Sequence, residues 1–417
     1  MRRPASGGMR TFGTLPIEDA LKVQKEKPAS MTKNSNSKNL QKKQAAKEQG
    51  EQKLWAFVAT QNQTQDANKR LTFGIDLGDR ASCWCALDAE GEVLARGEVV
   101  TEKQPLEVLF SRIPKSLIAI EVGTHSPWVS RTLEKLGHEV IVANARQVKV
   151  ISESNKKNDK RDAELLGRLA RADPKLLAPI KHRGEAAQVD LIAVRMRAQY
   201  VELRTQAINT VRGLVKATGQ RLPVCDADSL NRTHAEHLEP AVRKLAEQML
   251  GLVEELSKQI AKSDETLKQI GKERYAKEIG QLEQVKGVGP VTALTFVLTL
   301  DDPTRFPKSR DVGCFLGLRP KSNQSGSSEP EMRISKEGDG YLRKLLVQCA
   351  QYILSKRGPE TDLKIWGMQI AAKGKKTAKK RAVVAVARKL AVLLHRLWVS
   401  GERYEPLRHN RGLAKAA

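Results

Sequence analysis

Four acidic residues lie at three places in one block of the chain. Asp76 and Glu121 each end a short apolar run, while Asp159 and Asp162 open an amphipathic one. Carboxylate oxygens are the ligands that Mg²⁺ prefers, and one or two such ions can activate a nucleophile and stabilise a leaving oxygen in phosphoryl transfer. If the fold brings the four together, they predict a site for Mg²⁺, with Mn²⁺ as an alternative ion.

Each acid also has a plain structural interpretation. Asp76 fits a turn, Glu121 a charged strand end, and Asp159 and Asp162 the first turn of a helix, where they complement its dipole. Glu121 argues against this interpretation, because it interrupts an apolar run where a buried carboxylate is costly without a cation. We therefore take the four acids as one candidate site.

The elements that must position these acids begin at Leu71. Short apolar or alternating runs predict five strands; the turn DAEGE joins the second and third as a hairpin, and an amphipathic helix separates the last two. A three-strand meander followed by strand–helix alternation is typical of a ribonuclease-H-like α/β domain with a mixed sheet, here residues 71–183. Side chains at adjacent strand ends can converge, and acids spaced i,i+3 share one helix face.

Composition indicates the kind of partner. The 417 residues include 73 Lys+Arg against 48 Asp+Glu, a net charge of +25. Such an excess favours a polyanion, either nucleic acid or an anionic membrane surface. No apolar run approaches the ~20 residues of a membrane span, and the basic N-terminus has no apolar stretch after it. We expect nucleic acid as the partner, no membrane, and a cytosolic location.

Cysteines and histidines give no sign of a zinc site. The histidines His234 and His237 are spaced i,i+3 and are expected on a solvated helix face. The five cysteines are odd in number, contain no CxxC pair, and are expected to be small core residues in a reducing compartment. They are Cys83, Cys85, Cys225, Cys314 and Cys349.

Outside the sheet domain, the chain is predicted to be helical or disordered. Residues 1–70 are polar and basic and indicate a disordered arm with at most one transient helix. Residues 184–280 indicate long helices, with a coiled-coil seam that serves either self-association or a two-helix hairpin within one subunit. The seam residues are Val242, Leu245, Met249, Leu252 and Leu256.

The last part of the chain carries candidate nucleic-acid contacts. Residues 281–356 indicate a mostly α domain that opens with the helix–hairpin–helix pattern VKGVGP, and residues 357–417 a basic helical tail. Glycines in such a turn let backbone N–H groups approach a phosphate, although GVGP alone is a common turn. The predicted contacts are Lys286, Gly287, Gly289, Arg319, Lys321, Lys336 and Arg343.

Several of these motifs together resemble the DEDD transposases of bacterial insertion sequences, whose relatives include a pilin-gene invertase. In the first half the resemblance rests on GIDLG, IEVG and KNDKRDAELL. In the second half it rests on VKGVGPVTALTFV, FLGLRPKSNQSGSS and ISKEGDGYLRKLLVQCA. It covers roughly residues 71–355 and implies a RuvC-like domain followed by a transposase domain.

The resemblance also implies roles for individual residues. The metal-binding positions would be Asp76, Glu121, Asp159 and Asp162, and the nucleophile that forms a phosphoserine link to DNA would be Ser325. It further implies a structured noncoding guide RNA that pairs with donor and target DNA, and assembly as a homodimer or homotetramer. Composition shows no RNA partner, since aromatic residues make up 4% of the chain.

The residues around Ser325 leave its role open. Ser-Gly-rich loops are often flexible connectors, and no neighbour identifies a general base. Many relatives carry two glycines after the serine, whereas this chain has Gly326 followed by Ser327. Ser327 or Ser328 therefore stays an alternative nucleophile.

Three hypotheses follow from the sequence. The first is an RNA-guided DNA recombinase in which Mg²⁺-binding acids work with Ser325. The second is a RuvC-like nuclease that hydrolyses DNA with metal-activated water and needs no serine. The third is a noncatalytic nucleic-acid-binding protein with degenerate acids.

Overall fold

The computed structural model describes residues 52, 54–56, 58–59, 70–144, 159–321, 332–374 and 377–409. The chain divides into two compact units, Met1–Lys181 and His182–Ala417, here named the sheet unit and the helical unit. The sequence-based boundary at residue 183 lies close to this division. The finer division into five segments stays a prediction.

The sheet unit contains one five-stranded mixed sheet in the order β3-β2-β1-β4-β5. Strands β1, β2 and β3 are antiparallel neighbours, whereas β4 and β5 run parallel to β1. This topology agrees with the predicted meander and is compatible with a ribonuclease-H-like fold. The strands are β1 Thr72–Asp76, β2 Ala81–Leu87, β3 Val93–Val100, β4 Leu117–Glu121 and β5 Glu139–Ala143.

Helices cover both faces of this sheet. Three α-helices are described, α1 Lys103–Phe110, α2 Ser126–Lys135 and α3 Asp159–Ala172, with a 3₁₀ turn at Pro174–Leu177. Phe73, Ile75 and Trp84 lie in a core with residues of α1 and α2. On the opposite face Ala119 packs in a cluster with Leu166 of α3. The central strands β1 and β4 are therefore buried on both sides, which explains why they read as nearly continuous apolar runs, whereas the edge strand β3 alternates buried and exposed residues.

The predicted disordered arm contributes to this core at two residues. Leu54 and Val58 are helical and buried, at 0% and 5% exposure, within the cluster that contains Phe73. The expectation that residues up to 70 stay unpacked is therefore wrong for these two positions. The reason is that two apolar side chains four residues apart suffice for one helical turn to pack on a sheet.

The described residues of the helical unit form three hydrophobic clusters, of which the largest joins its C-terminal helices. Buried residues from Leu282 to Leu397 share a cluster, including Leu390 and Leu394, which are 0% exposed. The segment predicted as a basic tail thus packs with the domain before it. The helices are α4 Glu185–Ala217, α5 Pro240–Arg274, α6 Ala276–Glu283, α7 Pro290–Leu300, α8 Arg310–Phe315, α9 Gly340–Ile353, α10 Asp362–Ala372 and α11 Ala378–Ser400, with 3₁₀ turns at Arg232–Ala235 and Pro303–Arg305.

Helices α4 and α5 form an antiparallel hairpin. Arg204 of α4 donates to Ser257 of α5 at 3.2 Å, and Arg274 near the end of α5 reaches back to Asp190 near the start of α4 at 2.8 Å. The two-helix hairpin, one of the two alternatives for this segment, is confirmed. Self-association stays a prediction; of the seam residues, Leu245 and Leu252 are 68% and 49% exposed, whereas Leu256 is buried.

The remaining expectations concern small features. All five cysteines are free, and Cys85 and Cys349 are buried while the other three are half-buried. His234 lies in the 3₁₀ turn at Arg232–Ala235, and His237 contacts the Arg221 carbonyl oxygen at 2.8 Å. The pair is thus not on an α-helix. None of the helices in the described ranges has the length and apolar content that a membrane span needs.

Candidate active site

The first two acids end neighbouring parallel strands. Ile75 of β1 pairs with Ile120 of β4, so Asp76 and Glu121 follow at adjacent positions where both strands end. We name this side of the sheet, where β1, β4 and β5 end, the carboxyl edge. Ligands commonly bind at the carboxyl ends of parallel strands, because the loops that follow leave a crevice there.

Helix α3 approaches β1 unusually closely. A Cβ atom on Gly74 would lie 1.9 Å from the Ala163 carbonyl oxygen and 2.4 Å from the Gly167 nitrogen, both in the backbone of α3. Only glycine allows this contact. Because residues two apart in a strand share a face, Asp76 lies on the same side as α3. The first turn of α3 carries the other two acids.

Three of the four predicted acids come together there. Ligand oxygens of Asp76, Asp159 and Asp162 all lie within 4.8 Å of one another. Two oxygens bound to one Mg²⁺ at about 2.1 Å are about 3 to 4 Å apart, so a small adjustment suffices for a shared ion. Asp76 is half-buried, Asp159 exposed and Asp162 buried. A buried carboxylate beside two others is costly unless a cation balances them, and this favours a divalent ion.

Glu121 lies beside this group without being part of it. Its strand position and its half-buried side chain place it on the same face, since Ala119 two residues earlier packs against α3. However, the group of ligand atoms within 4.8 Å does not include its carboxylate. Its role as a metal ligand stays a prediction.

Strands β2 and β3 bring two further side chains to the site that the sequence analysis missed. Across the sheet, Asp76 pairs with Cys83, and Cys83 pairs with Glu98. Burial raises the pKa of the Cys83 thiol to about 11, with a further rise from the carboxylates of Glu98, Asp159 and Asp76. The thiol is therefore protonated near neutral pH. The hairpin turn DAEGE was the available signal, because it sets the β2–β3 register.

One basic residue lies among the acids. The ammonium of Lys160, next to Asp159 in α3, is 3.9 Å from the carboxylate of Glu98. Both side chains are about half exposed, so the ion pair adds little stability. It places a cation at the rim of the acidic group, where a phosphate of a nucleic acid would be attracted.

In the helical unit, the structure describes the residues on either side of the segment that carries Ser325. Pro320 and Ile334 form an isolated β-bridge, and the backbone N–H of Lys321 donates to the Arg333 carbonyl at 2.9 Å. Ser325 and its neighbours Ser322, Ser327 and Ser328 fall in residues 322–331, outside the described residues. The described residues on either side of the predicted nucleophile's segment are therefore hydrogen-bonded to each other.

Arg343, a predicted nucleic-acid contact, donates to protein carbonyls. Its guanidinium reaches the carbonyl oxygens of Leu316 and Glu337 at 2.9 and 2.8 Å. Leu316 precedes and Glu337 follows residues 322–331 in the chain, so Arg343 links the described backbone on both sides of that segment. Nearby Lys336 has a positive φ of 59°. Arg319, Lys321 and Lys336 are exposed.

The predicted helix–hairpin–helix lies between α6 and α7. Gly287 has a φ of 102°, which favours glycine, and Gly289 precedes the first turn of α7. Lys286 and Gly289 are exposed and Gly287 is half-buried. Contact of these residues with a phosphate stays a prediction.

Comparison with known proteins identifies the family. The pattern of the transposase family IS116/IS110/IS902 matches residues 280–364, and that of the DEDD transposases of IS110 type matches residues 73–219. Together they cover more than half of the chain. The first match contains the predicted phosphate-contact residues Lys286, Gly287 and Gly289, and the second contains all four acids.

Individual relatives agree with this family. A Sinorhizobium fredii relative, itself named as a transposase, is 29% identical over 303 residues, which is 71% of this chain and 76% of the relative. The transposase for insertion sequence element IS1111A of Coxiella burnetii is 27% identical, over 79% of this chain and 90% of its own. The transposase for IS1328 of Yersinia enterocolitica is 28% identical over 68% and 84%. The chain therefore belongs to the IS116/IS110/IS902 family and is a DEDD-type insertion-sequence transposase.

Proposed function

We propose that this transposase cleaves and rejoins DNA strands with a divalent metal site at the carboxyl edge and a serine nucleophile, Ser325. The observation that carries the proposal is the convergence of Asp76, Asp159 and Asp162 within 4.8 Å in a chain of net charge +25. These acids, with Glu121 beside them, would hold Mg²⁺ or Mn²⁺. Such an ion supplies charge stabilisation at a phosphate that reacts.

The chemistry assigned to Ser325 is a reversible phosphoryl transfer. A bond forms between its Oγ and phosphorus while the bond from phosphorus to one sugar oxygen breaks. The serine proton leaves to a base and the released sugar oxygen takes up a proton. A sugar hydroxyl of the recipient strand then attacks the same phosphorus and frees the serine. The covalent serine–phosphate link conserves the free energy of the broken phosphodiester bond, so the strands can be rejoined. Hydrolysis would lose this free energy.

The partners in this proposal are donor DNA, target DNA and a structured noncoding guide RNA, met in the bacterial cytosol. Base pairing would read the sequences while the basic protein holds backbones. Sequencing the RNA that co-purifies with the protein tests this proposal. Its sequence should match both the donor DNA and the target DNA. Random cellular RNA in that fraction would contradict the guide.

Assembly as a homodimer or homotetramer is part of the same proposal. Leu245 and Leu252 on α5 are exposed and lie on the predicted seam, so they offer an apolar contact to a second copy. Replacing both by Gln should lower the oligomer mass in light scattering. The matched change Lys244→Gln and Glu255→Gln should leave it unchanged.

Two substitutions separate the proposed function from its rivals. Asp76→Ala should abolish strand cleavage, and Ser325→Ala should abolish the covalent protein–DNA adduct and recombination. Ser327→Ala and Ser328→Ala test the two alternative nucleophiles and should keep both the adduct and recombination. Metal-dependent hydrolysis that survives in Ser325→Ala would favour the simple nuclease. Unchanged cleavage in Asp76→Ala would remove the metal site from the mechanism.

A further inference from the structure

His125 lies at the carboxyl edge and has no part in the function above. It immediately precedes α2, four residues after Glu121 ends β4. The indole Nε1–H of Trp128 donates to its Nδ1 at 3.2 Å, and the two rings meet edge to face with centroids 6.0 Å apart. The imidazole is thus held from one side by a residue in the first turn of α2.

This contact decides which ring nitrogen carries the proton. A tryptophan N–H is a donor only, so Nδ1 must act as the acceptor and is unprotonated. The proton of the neutral ring is then on Nε2. The His125 side chain is 27% exposed, and its Nε2 lies 3.6 Å from a carboxylate oxygen of Asp79, whose side chain is 93% exposed. That distance exceeds a hydrogen bond, so Asp79 is a weak partner for this donor.

The loops that carry His125 and Asp79 are both fixed by hydrogen bonds. Buried Ser126 accepts from the Gly123 N–H at 3.0 Å and donates to the Gly123 carbonyl at 2.8 Å. In the turn after β1, Thr101 donates to the Gly78 carbonyl at 2.9 Å. These turns follow the strand ends that carry Glu121 and Asp76. The Nε2–H donor is therefore held at the same edge as the acids.

We propose that His125 contacts the substrate in strand cleavage, donating from Nε2–H to an oxygen of the DNA phosphate that reacts at the acidic group, and that Trp128 is its positioning residue. The inference rests on the proposed function, since it needs a phosphate at the carboxyl edge. An Nε2–H donor that is accessible and held in place by Trp128 suits this contact, because it needs no reorientation when the phosphate arrives.

The test is single-turnover strand cleavage by the full chain in Mg²⁺, beside DNA affinity and unfolding midpoint. Removal of one hydrogen bond to a charged group predicts a rate about 10- to 100-fold lower in His125→Ala. His125→Gln should recover much of this loss, because its amide nitrogen can replace Nε2, whereas His125→Asn should not. Affinity and unfolding midpoint should stay near those of the original protein.

Trp128→Phe tests the positioning role. It keeps the ring and removes the donor, so it should slow cleavage in the original protein and have no further effect in His125→Ala. A rate in His125→Ala equal to that of the original protein, or equal rates in the Gln and Asn variants, would overturn the inference. Asp76→Ala is assayed alongside the His125 variants. If Asp76→Ala still cleaves DNA, the proposed function fails. If Asp76→Ala is inactive while His125→Ala cleaves at the original rate, only the role of His125 fails.

Discussion

The sheet unit and the helical unit hold their candidate residues in different ways. Asp76 and Glu121 end paired strands, and Asp159 with Asp162 begin a helix that packs against them. Ser325 lies in residues 322–331, outside the described residues, and the structure describes the hydrogen-bonded residues on either side of them. Regular backbone therefore sets the acid positions directly. In the helical unit, side chains such as Arg343 hold the described backbone on either side of that segment.

The two units also differ in what holds their helices. In the sheet unit α3 lies against β1 by direct backbone contact at Gly74. In the helical unit the α4–α5 hairpin combines an apolar core with buried polar contacts. In one of them, here named the polar lock, the buried Asp190 carboxylate accepts from Arg274 and from the hydroxyl of Tyr275. Close packing tolerates no added atom, whereas a polar lock fails when one partner is lost.

The largest expected effect comes from removal of one buried acid. Asp162→Asn should lower strand cleavage by about 10³-fold, because a ligand of the metal is lost. In EDTA the same variant should unfold at an equal or higher temperature, since carboxylate repulsion is relieved. Glu164→Gln, on the same helix but outside the acidic group, is the matched control. An equal loss of strand cleavage in both variants would mean that α3 contributes to the structure of the site and not through a metal ligand.

The close approach of α3 to β1 predicts the next effect. Gly74→Ala should lower the free energy of unfolding by about 3 kcal/mol, since the new Cβ overlaps the backbone of α3. It should also weaken Mn²⁺ binding, because α3 carries two of the acids. Gly123→Ala, where a Cβ meets nothing within 4 Å, should change neither. Denaturant unfolding measures the stability and Mn²⁺ titration measures the affinity for the ion. An unchanged Mn²⁺ affinity in Gly74→Ala would show that the positions of the acids do not depend on this packing.

The polar lock of the helical unit predicts a smaller effect. Arg274→Ala leaves the buried Asp190 carboxylate with the Tyr275 hydroxyl, whose pKa is raised to about 12, mainly by burial. We expect a loss of about 2 kcal/mol in the free energy of unfolding, below that of a fully buried pair because Arg274 is half exposed. Exposed Lys272→Ala is the control in the same turn. A loss no larger than that of Lys272→Ala would show that the lock is not needed.

The smallest predicted effect is a pH dependence in the sheet unit. Burial lowers the pKa of His138 below its ordinary 6.5; its Nε2–H donates to the Phe110 carbonyl and its Nδ1 accepts from the Ser116 N–H. The unfolded state then binds the proton more tightly, so this contribution is complete above pH 6.5 and is lost as the pH falls toward the lowered pKa. Unfolding midpoints measured from pH 8 to 5 should show the loss, and His138→Gln should remove that component.

Much of the local structure follows from short sequence patterns. The five apolar runs correspond to β1–β5, and the run beginning at Asp159 corresponds to α3. Glycines and turn residues predicted the β2–β3 hairpin. The hairpin of α4 and α5 was one of two alternatives, because an apolar helix stripe does not say whether its partner lies in the same chain or in another. Leu54 and Val58 were missed because their partners are far away in sequence.

By itself, the sequence determined which residue types can do chemistry and their local arrangement: an i,i+3 pair of acids on one helix face, acids at the ends of two strands, and a basic chain suited to nucleic acid. Only the tertiary structure decided that Asp76, Asp159 and Asp162 lie close together and that Glu121 lies beside them. It also decided that Cys83 and Glu98 are the next residues across the sheet from Asp76. The physical reason is that local periodicity acts over a few residues. Strand register and helix approach depend on contacts between segments tens of residues apart, which a spacing rule does not contain.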